Sequence, residues 1–358
     1  MQVQALRAPQ ALDLSRAFFH EVVRPILARR CPGVLAQAAC GRFGYGSECL
    51  GLDDEVSRDH HWGPRIDLLL PERFLRKHGL RQLKAASTEF PATFQGFRLE
   101  AGHIGGAGLA PESLPAFLQR TLGRTTPPRT HADWLNLPEE DIIHVLNGEV
   151  WQDPPGDFTA LRRKLAGYYP DPVWKRRIAH WCRYCSGMGL YALQRAVLRQ
   201  NEPFAYTAFG RCLKLTLELA FLLNRCYFPY DKWLYPLFLR LPHLAHDLDG
   251  LIRQATRAGT AWKRRIALLE RMHVLLDARM VKLGVIRPHA RFRRSKTSGF
   301  RLLEHAYGEL CQTLPQGIRN RVPLWDQKFL EEFHCEFVAG ISLAAWDGML
   351  NLRSQGQA

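Results

Sequence analysis

A glycine–serine pair, Gly46-Ser47, closes the run Gly41-Arg42-Phe43-Gly44-Tyr45-Gly46-Ser47, and an acid, Asp59, follows twelve positions later. These residue types suit phosphate chemistry. Glycine lets backbone N–H groups approach the β- and γ-phosphates of a nucleotide, and a serine hydroxyl adds a donor. Carboxylates on a neighbouring strand hold Mg²⁺, which neutralises phosphate charge and activates an attacking hydroxyl. Two acids at i and i+2 on a strand project to one face, the arrangement a two-metal site needs. Here the residues after Asp59 are His60-His61-Trp62, so an imidazole stands at i+2.

Strands must position that run. Val34–Cys40 is an apolar stretch of buried-strand length, and Gly41–Ser47 reads as the turn that ends it. Ile66–Leu70, after the Gly63-Pro64 break, reads as a second strand. Upstream, Asp13 or Ser15 caps a helix expected to reach about Arg30, with Phe18, Val22, Val23 and Ile26 on one face. Asp141–Leu146 fits a strand or a short helix. The loop Asp153-Pro154-Pro155-Gly156-Asp157 marks the expected domain boundary, giving a small α/β domain over 1–155 and a basic helical bundle over 156–358. Apolar residues at spacings of three and four predict helices over Phe158–Tyr168, Pro172–Tyr184, Leu190–Arg199, Gly210–Arg225, Leu244–Ala258, Thr260–Leu283, Leu302–Leu310 and Trp325–Leu343. The fold class is α+β.

Composition narrows the function classes. With 46% hydrophobic and 23% charged residues, the chain of 358 residues is neither disordered nor a small disulfide-stapled protein. Lys plus Arg is 49 against 34 for Asp plus Glu, a net of +15. Residues 1–150 hold 17 basic and 17 acidic side chains, whereas 151–358 hold 32 and 17, so the excess sits in the second half. Such a field attracts polyanions: nucleic acid, nucleotide phosphates or an anionic surface. The first apolar stretch, Ala17–Leu27, is broken by His20, Glu21, Arg24 and Pro25, and no run has the length of a membrane span. A reduced, cytoplasmic protein without a membrane partner is expected.

The ordered string Gly46-Ser47-Glu48, Leu50-Gly51, Asp53-Asp54, Ser57-Arg58-Asp59-His60 and Trp62-Gly63-Pro64-Arg65 resembles the nucleotidyltransferase superfamily. More closely, it resembles the bacterial family called domain of unknown function 4037. Gly148-Glu149-Val150 with Asp153, Tyr168-Tyr169-Pro170-Asp171, and Asn224–Trp233 are similar to later segments of that family. The resemblance implies a polymerase-β-like domain that moves a nucleoside monophosphate from a triphosphate, ATP first, to an acceptor, with Mg²⁺ or Mn²⁺. Gly46 and Ser47 would hold the pyrophosphate, with Lys232 and then Arg42 as basic partners. Asp59 would bind metal. The family usually carries Asp where this chain has His61, and imidazole suits Mn²⁺ or Zn²⁺ better than Mg²⁺. Asp67 is the acid that could substitute for it. Glu149 or Asp153 would be the base, without a choice between them. Asp53 and Asp54 either line the cleft or cap a turn and orient Arg58.

Two other signals carry less. Cys182 and Cys185, with His180, have zinc-like spacing but no second cysteine pair, and read as buried helix residues. The stretch Arg287–Arg301, with Arg287, Arg291, Arg293, Arg294 and Lys296, interleaves basic and aromatic residues and suits an RNA backbone. A competing function therefore stands beside the enzyme: a degenerate fold, lacking the second metal acid, that binds nucleotide or RNA through the basic half.

Overall fold

The structure, a computed structural model, describes residues 10–59, 62–100, 102, 104–288 and 303–319. It is mixed α+β and mostly helical, in two compact units: residues 1–127 with 141–167, and residues 128–140 with 168–358.

Among the described residues the first unit has six strands: β1 Ala39–Phe43, β2 Ile66–Leu69, β3 Thr93–Phe94, β4 Phe97–Arg98, β5 Leu109–Glu112 and β6 Gly148–Gln152. Four form one sheet in the order β5-β2-β1-β6, with β1 antiparallel to both neighbours and β2 parallel to β5. Strands β3 and β4 form a separate hairpin.

The first strand begins later than the apolar run suggests. Leu35–Gln37 is a 3₁₀ turn, and the strand runs through Gly41, Arg42 and Phe43, residues expected to form a turn. Gly41 belongs there because β6 comes very close; a Cβ would collide with the Glu149 carbonyl. The β1/β6 register slips between Cys40 and Gly41, a bulge that accommodates this approach. Glu149, whose Asn147-Gly148 neighbours suggest a turn, is in fact a strand residue. Asp141–Leu146 resolves as helix, part of Glu139–Leu146.

One layer of the unit packs Leu14, Phe18, Phe19, Val23 and Leu27 against Cys40, Ile66, Leu68 and Leu109. Each such side chain contributes roughly 1.5–3 kcal/mol by burial. The helix Ala11–Phe18 has no side-chain cap from Asp13 or Ser15; instead Asp53 accepts its Ala11 N–H at 2.9 Å. Helical structure continues through a π turn, Phe19–Val23, to Arg24–Arg30. A second cluster joins Phe43 to Phe158 and Phe117, at 4.6 and 5.5 Å between ring centroids. The helix Asp157–Ala166 thus packs with the sheet unit.

The second unit is helical: Asp171–Tyr184, a π turn Cys185–Tyr191, then Ala192–Leu198, Glu202–Leu222, Asp231–Phe238, Ala245–Thr256, Trp262–Lys282 and Glu304–Thr313. The helix expected from Gly210 starts eight residues earlier, because Asn201 caps it and Pro203 occupies its first turn, where no N–H is needed. The expected helix Trp325–Leu343 lies outside the described residues. Cys182, Cys185 and Cys212 are buried, and burial raises their thiol pKa values, to about 12 at Cys212. Among the described residues, no helix is long and apolar enough to cross a membrane.

Candidate functional site

Antiparallel pairing determines which candidate residues share an end of the sheet. Gly41 pairs with Asp67, so β2 begins where β1 finishes. The Gly44–Ser47 loop leaves that end, residues 62–65 lead into β2 there, and Gly148-Glu149 pairs with Phe43 and Arg42. Asp153 lies elsewhere. It follows Gln152, which pairs with Cys40. That separates it from the loop by about a strand length, roughly 13 Å at 3.3 Å per residue. Its carboxylate accepts the Gly156 and Thr159 N–H groups at 3.1 and 2.7 Å and caps the following helix. Asp153 also lines a pocket of ≈ 560 Å³ with Ala39, Leu69, Arg73 and Arg76 at its own end. As a base toward a phosphate on the Gly-Ser loop, Asp153 is corrected by this register.

Arg42 is buried rather than offered to a ligand. Its guanidinium donates to Asp67 at 2.8 Å, pairs with Glu48, and donates to the carbonyls of Phe43 and Tyr45 at 3.0 and 3.1 Å. It fixes the Gly-Ser loop from beneath. As a phosphate ligand Arg42 is therefore corrected.

Asp67 is equally occupied. It accepts from Arg42, from the Phe43 N–H at 3.0 Å and from Arg65 at 3.1 Å. Burial would raise its pKa, but Arg42 and then Arg65, with the Phe43 N–H, hold it below the ordinary carboxylate value. A carboxylate already shared by two guanidiniums is a poor metal ligand, which corrects Asp67 as the replacement for the missing acid. The i,i+2 pair Arg65/Asp67 is legible in sequence; Arg42 as its second partner is not.

The loop itself is tightly specified. Gly46 has φ +143°, and a Cβ there would run into the Glu48 carboxylate. Ser47 starts the 3₁₀ turn Glu48–Leu50, and its hydroxyl makes no hydrogen bond to a described residue. Tyr45, not singled out by sequence, stacks on His144 at 3.9 Å and donates to Asp141 at 2.6 Å, while its ring stays 40% exposed. Burial lowers the His144 pKa to about 4, against a hydrogen bond with the Gly44 backbone.

Asp59 ends the 3₁₀ turn Val56–Asp59. His60 and His61 lie outside the described residues. Around them, Asp54 caps Ser57 through its N–H at 2.9 Å, and Asp53 accepts from Trp62 at 3.2 Å. Arg58 stacks over the Trp62 ring at 4.6 Å. Both Asp53 and Asp54 thus brace the segment. Glu149 accepts from Arg16 Nε at 2.6 Å and from Trp151 at 2.8 Å, and remains about a third exposed. Hydrogen bonding from Arg16, against partial burial, keeps it ionised below the ordinary glutamate pKa.

In the helical unit, Lys232 lies over the Trp233 ring at 4.9 Å, at the start of Asp231–Phe238. Beside it Lys214 contacts Glu140, Glu218 and Asp231 at 3.1, 3.7 and 2.6 Å, and Trp181 donates to Glu218 at 2.8 Å. Of the basic segment after Val285, Arg287 alone of the five named cations is described. Its N–H donates to Glu309 at 2.7 Å.

No curated protein and no solved structure matches the chain. Residues 134–234, which carry Glu149, the Tyr168–Asp171 string and Asn224–Trp233, match the family described as Domain of unknown function (DUF4037).

Proposed function

We propose that the sheet unit is a nucleotidyltransferase site that moves a nucleoside monophosphate from a triphosphate, ATP first, to an acceptor hydroxyl. Support comes from one observation: the antiparallel register of β1 with β2 and β6 brings the Gly44–Ser47 loop, the start of β2 and Glu149 to one end of the sheet. The acceptor oxygen bonds to the α-phosphorus, the α–β phosphoanhydride bond breaks, and pyrophosphate leaves. Gly46 N–H and Ser47 hydroxyl hold the departing phosphates, and Glu149 takes the hydroxyl proton. A bound Mg²⁺ or Mn²⁺ supplies charge neutralisation of the polyphosphate. Asp67 does not fit as a ligand, and Asp59 with His61 would form the donor set.

Turnover is tested with labelled triphosphates and either metal. Wild-type protein is expected to release pyrophosphate, better with Mn²⁺ than with Mg²⁺, and Asp59→Ala to abolish release. Binding without turnover across metals and acceptors would exclude the transfer reaction. A second reading, nucleotide binding without chemistry, is favoured by the closed Arg42–Asp67–Arg65 pairing, which leaves Asp67 unable to replace the acid that His61 displaces. His61→Asp separates the two: activity that appears only in that variant supports the second.

A further inference from the structure

Arg265 is a buried cation without an acid. It is 7% exposed, yet among the described residues no carboxylate pairs with it, and its Nε has no hydrogen-bond partner. One Nη donates to the Arg257 carbonyl at 3.5 Å. Three aromatic rings surround the guanidinium: Trp262, Phe209 and Tyr206, at 4.7, 5.2 and 5.6 Å from their centroids. Trp262 is held in turn by Tyr206, 4.9 Å away at 70°, and by donation to Glu202 at 3.1 Å. Lys263 and Arg264 are exposed beside it. Phe204, Tyr206 and Leu198 are exposed at 41, 55 and 66% around the turn where Ala192–Leu198 meets Glu202–Leu222. Segments 191–206 and 257–265 together hold six basic residues and one acid.

Arg265 itself is compensated by its three rings; the exposed rings beside it favour a partner that covers them, and the exposed Lys263 and Arg264 favour an anion. A single-stranded polynucleotide supplies both, stacking bases on aromatic faces while its phosphates meet arginine and lysine. A base on the exposed Tyr206 would add to its edge-on pair with Trp262, and the exposed Lys263 and Arg264, next to Trp262 in the chain, would meet the phosphates. We infer that the Tyr206–Trp262–Arg265 surface of the helical unit binds single-stranded RNA. The inference does not depend on the reading of the sheet unit, and it uses different residues from the 287–301 stretch.

The test is fluorescence anisotropy of labelled oligouridylate with the full chain, repeated across a salt series. Tyr206→Ala is expected to weaken binding roughly 5- to 160-fold, the equivalent of about 1–3 kcal/mol for one stacked base. Tyr206→Phe keeps the ring and is expected to bind as wild type. Lys263→Glu with Arg264→Glu is expected to flatten the slope of log affinity against log salt by about 0.7 for each phosphate no longer neutralised. Wild-type affinity in both Tyr206→Ala and the charge-reversed variant would overturn the inference. So would a wild-type chain that ignores oligouridylate, including one that instead binds anionic phospholipid vesicles through these residues.

Discussion

Two buried acids, one in each unit, have opposite fates. Asp67 of the sheet unit faces Arg42 and Arg65, and Glu48 completes a cluster with as many cations as anions. Among the described residues, Glu218 of the helical unit faces Lys214 alone, which it shares with Glu140 and Asp231. Both acids are almost wholly buried. Burial raises each pKa, and the cations then decide the outcome. Two guanidiniums bring Asp67 below the ordinary value, whereas one shared ammonium leaves Glu218 at about 8. Burial alone therefore does not determine ionisation; the ratio of cations to acids does. A balanced, closed cluster braces a loop, and an acid-rich one titrates near neutral pH.

The sharpest break in this contrast is Asp67→Ala, which leaves two guanidiniums around an empty site. Removing one partner of a buried pair costs about 3–5 kcal/mol, to be read from urea denaturation at neutral pH. A loss below about 1 kcal/mol would mean the cluster is not the brace described. Gly46→Ala combines a positive φ with a collision against Glu48, and about 1–3 kcal/mol of strain is expected in the same measurement.

Glu218→Gln tests the other cluster through pH. The folded-state pKa of Glu218, about 8, lies above its ordinary 4.5. Its favourable contribution is therefore complete below pH 4.5 and disappears as pH rises through 8. The variant should lose that decline and melt above wild type at about pH 9; parallel pH profiles for the two proteins would contradict it. Tyr45→Phe removes one hydrogen bond to Asp141 and should cost about 0.5–1.5 kcal/mol. If the Tyr45–Asp141 hydrogen bond orients the loop, the variant should also slow any turnover.

Much of the helical unit was legible because three-and-four spacing survives in the sequence, although the start signalled by Asn201 and Pro203 was missed and the helix was expected only from Gly210. Ile66–Leu70 was legible as a strand by its length and its apolar residues after the Gly63-Pro64 break. The first strand was not, since Gly41 and Arg42 are poor strand residues in isolation. Arg42 is buried only through Asp67 and Glu48, and Gly41 is required only by the backbone of β6. The choice between Glu149 and Asp153 was closed to sequence for a similar reason. Both are acids near one turn, and only the pairing of β6 with β1 sends them toward opposite ends. Asp67 showed its neighbour Arg65 but not Arg42, 25 residues away, so it passed for a free ligand.

Calorimetric titration of ATP with Mn²⁺ into wild type, Ser47→Ala, Asp59→Ala and Asp153→Asn tests the sheet-end assignment most directly. Wild type and Asp153→Asn should bind alike, while Ser47→Ala and Asp59→Ala should each lose about tenfold or more, the worth of one charge-assisted contact. No binding by wild type, or a loss in Asp153→Asn as large as in Asp59→Ala, would contradict a polyphosphate site at the Gly44–Ser47 end.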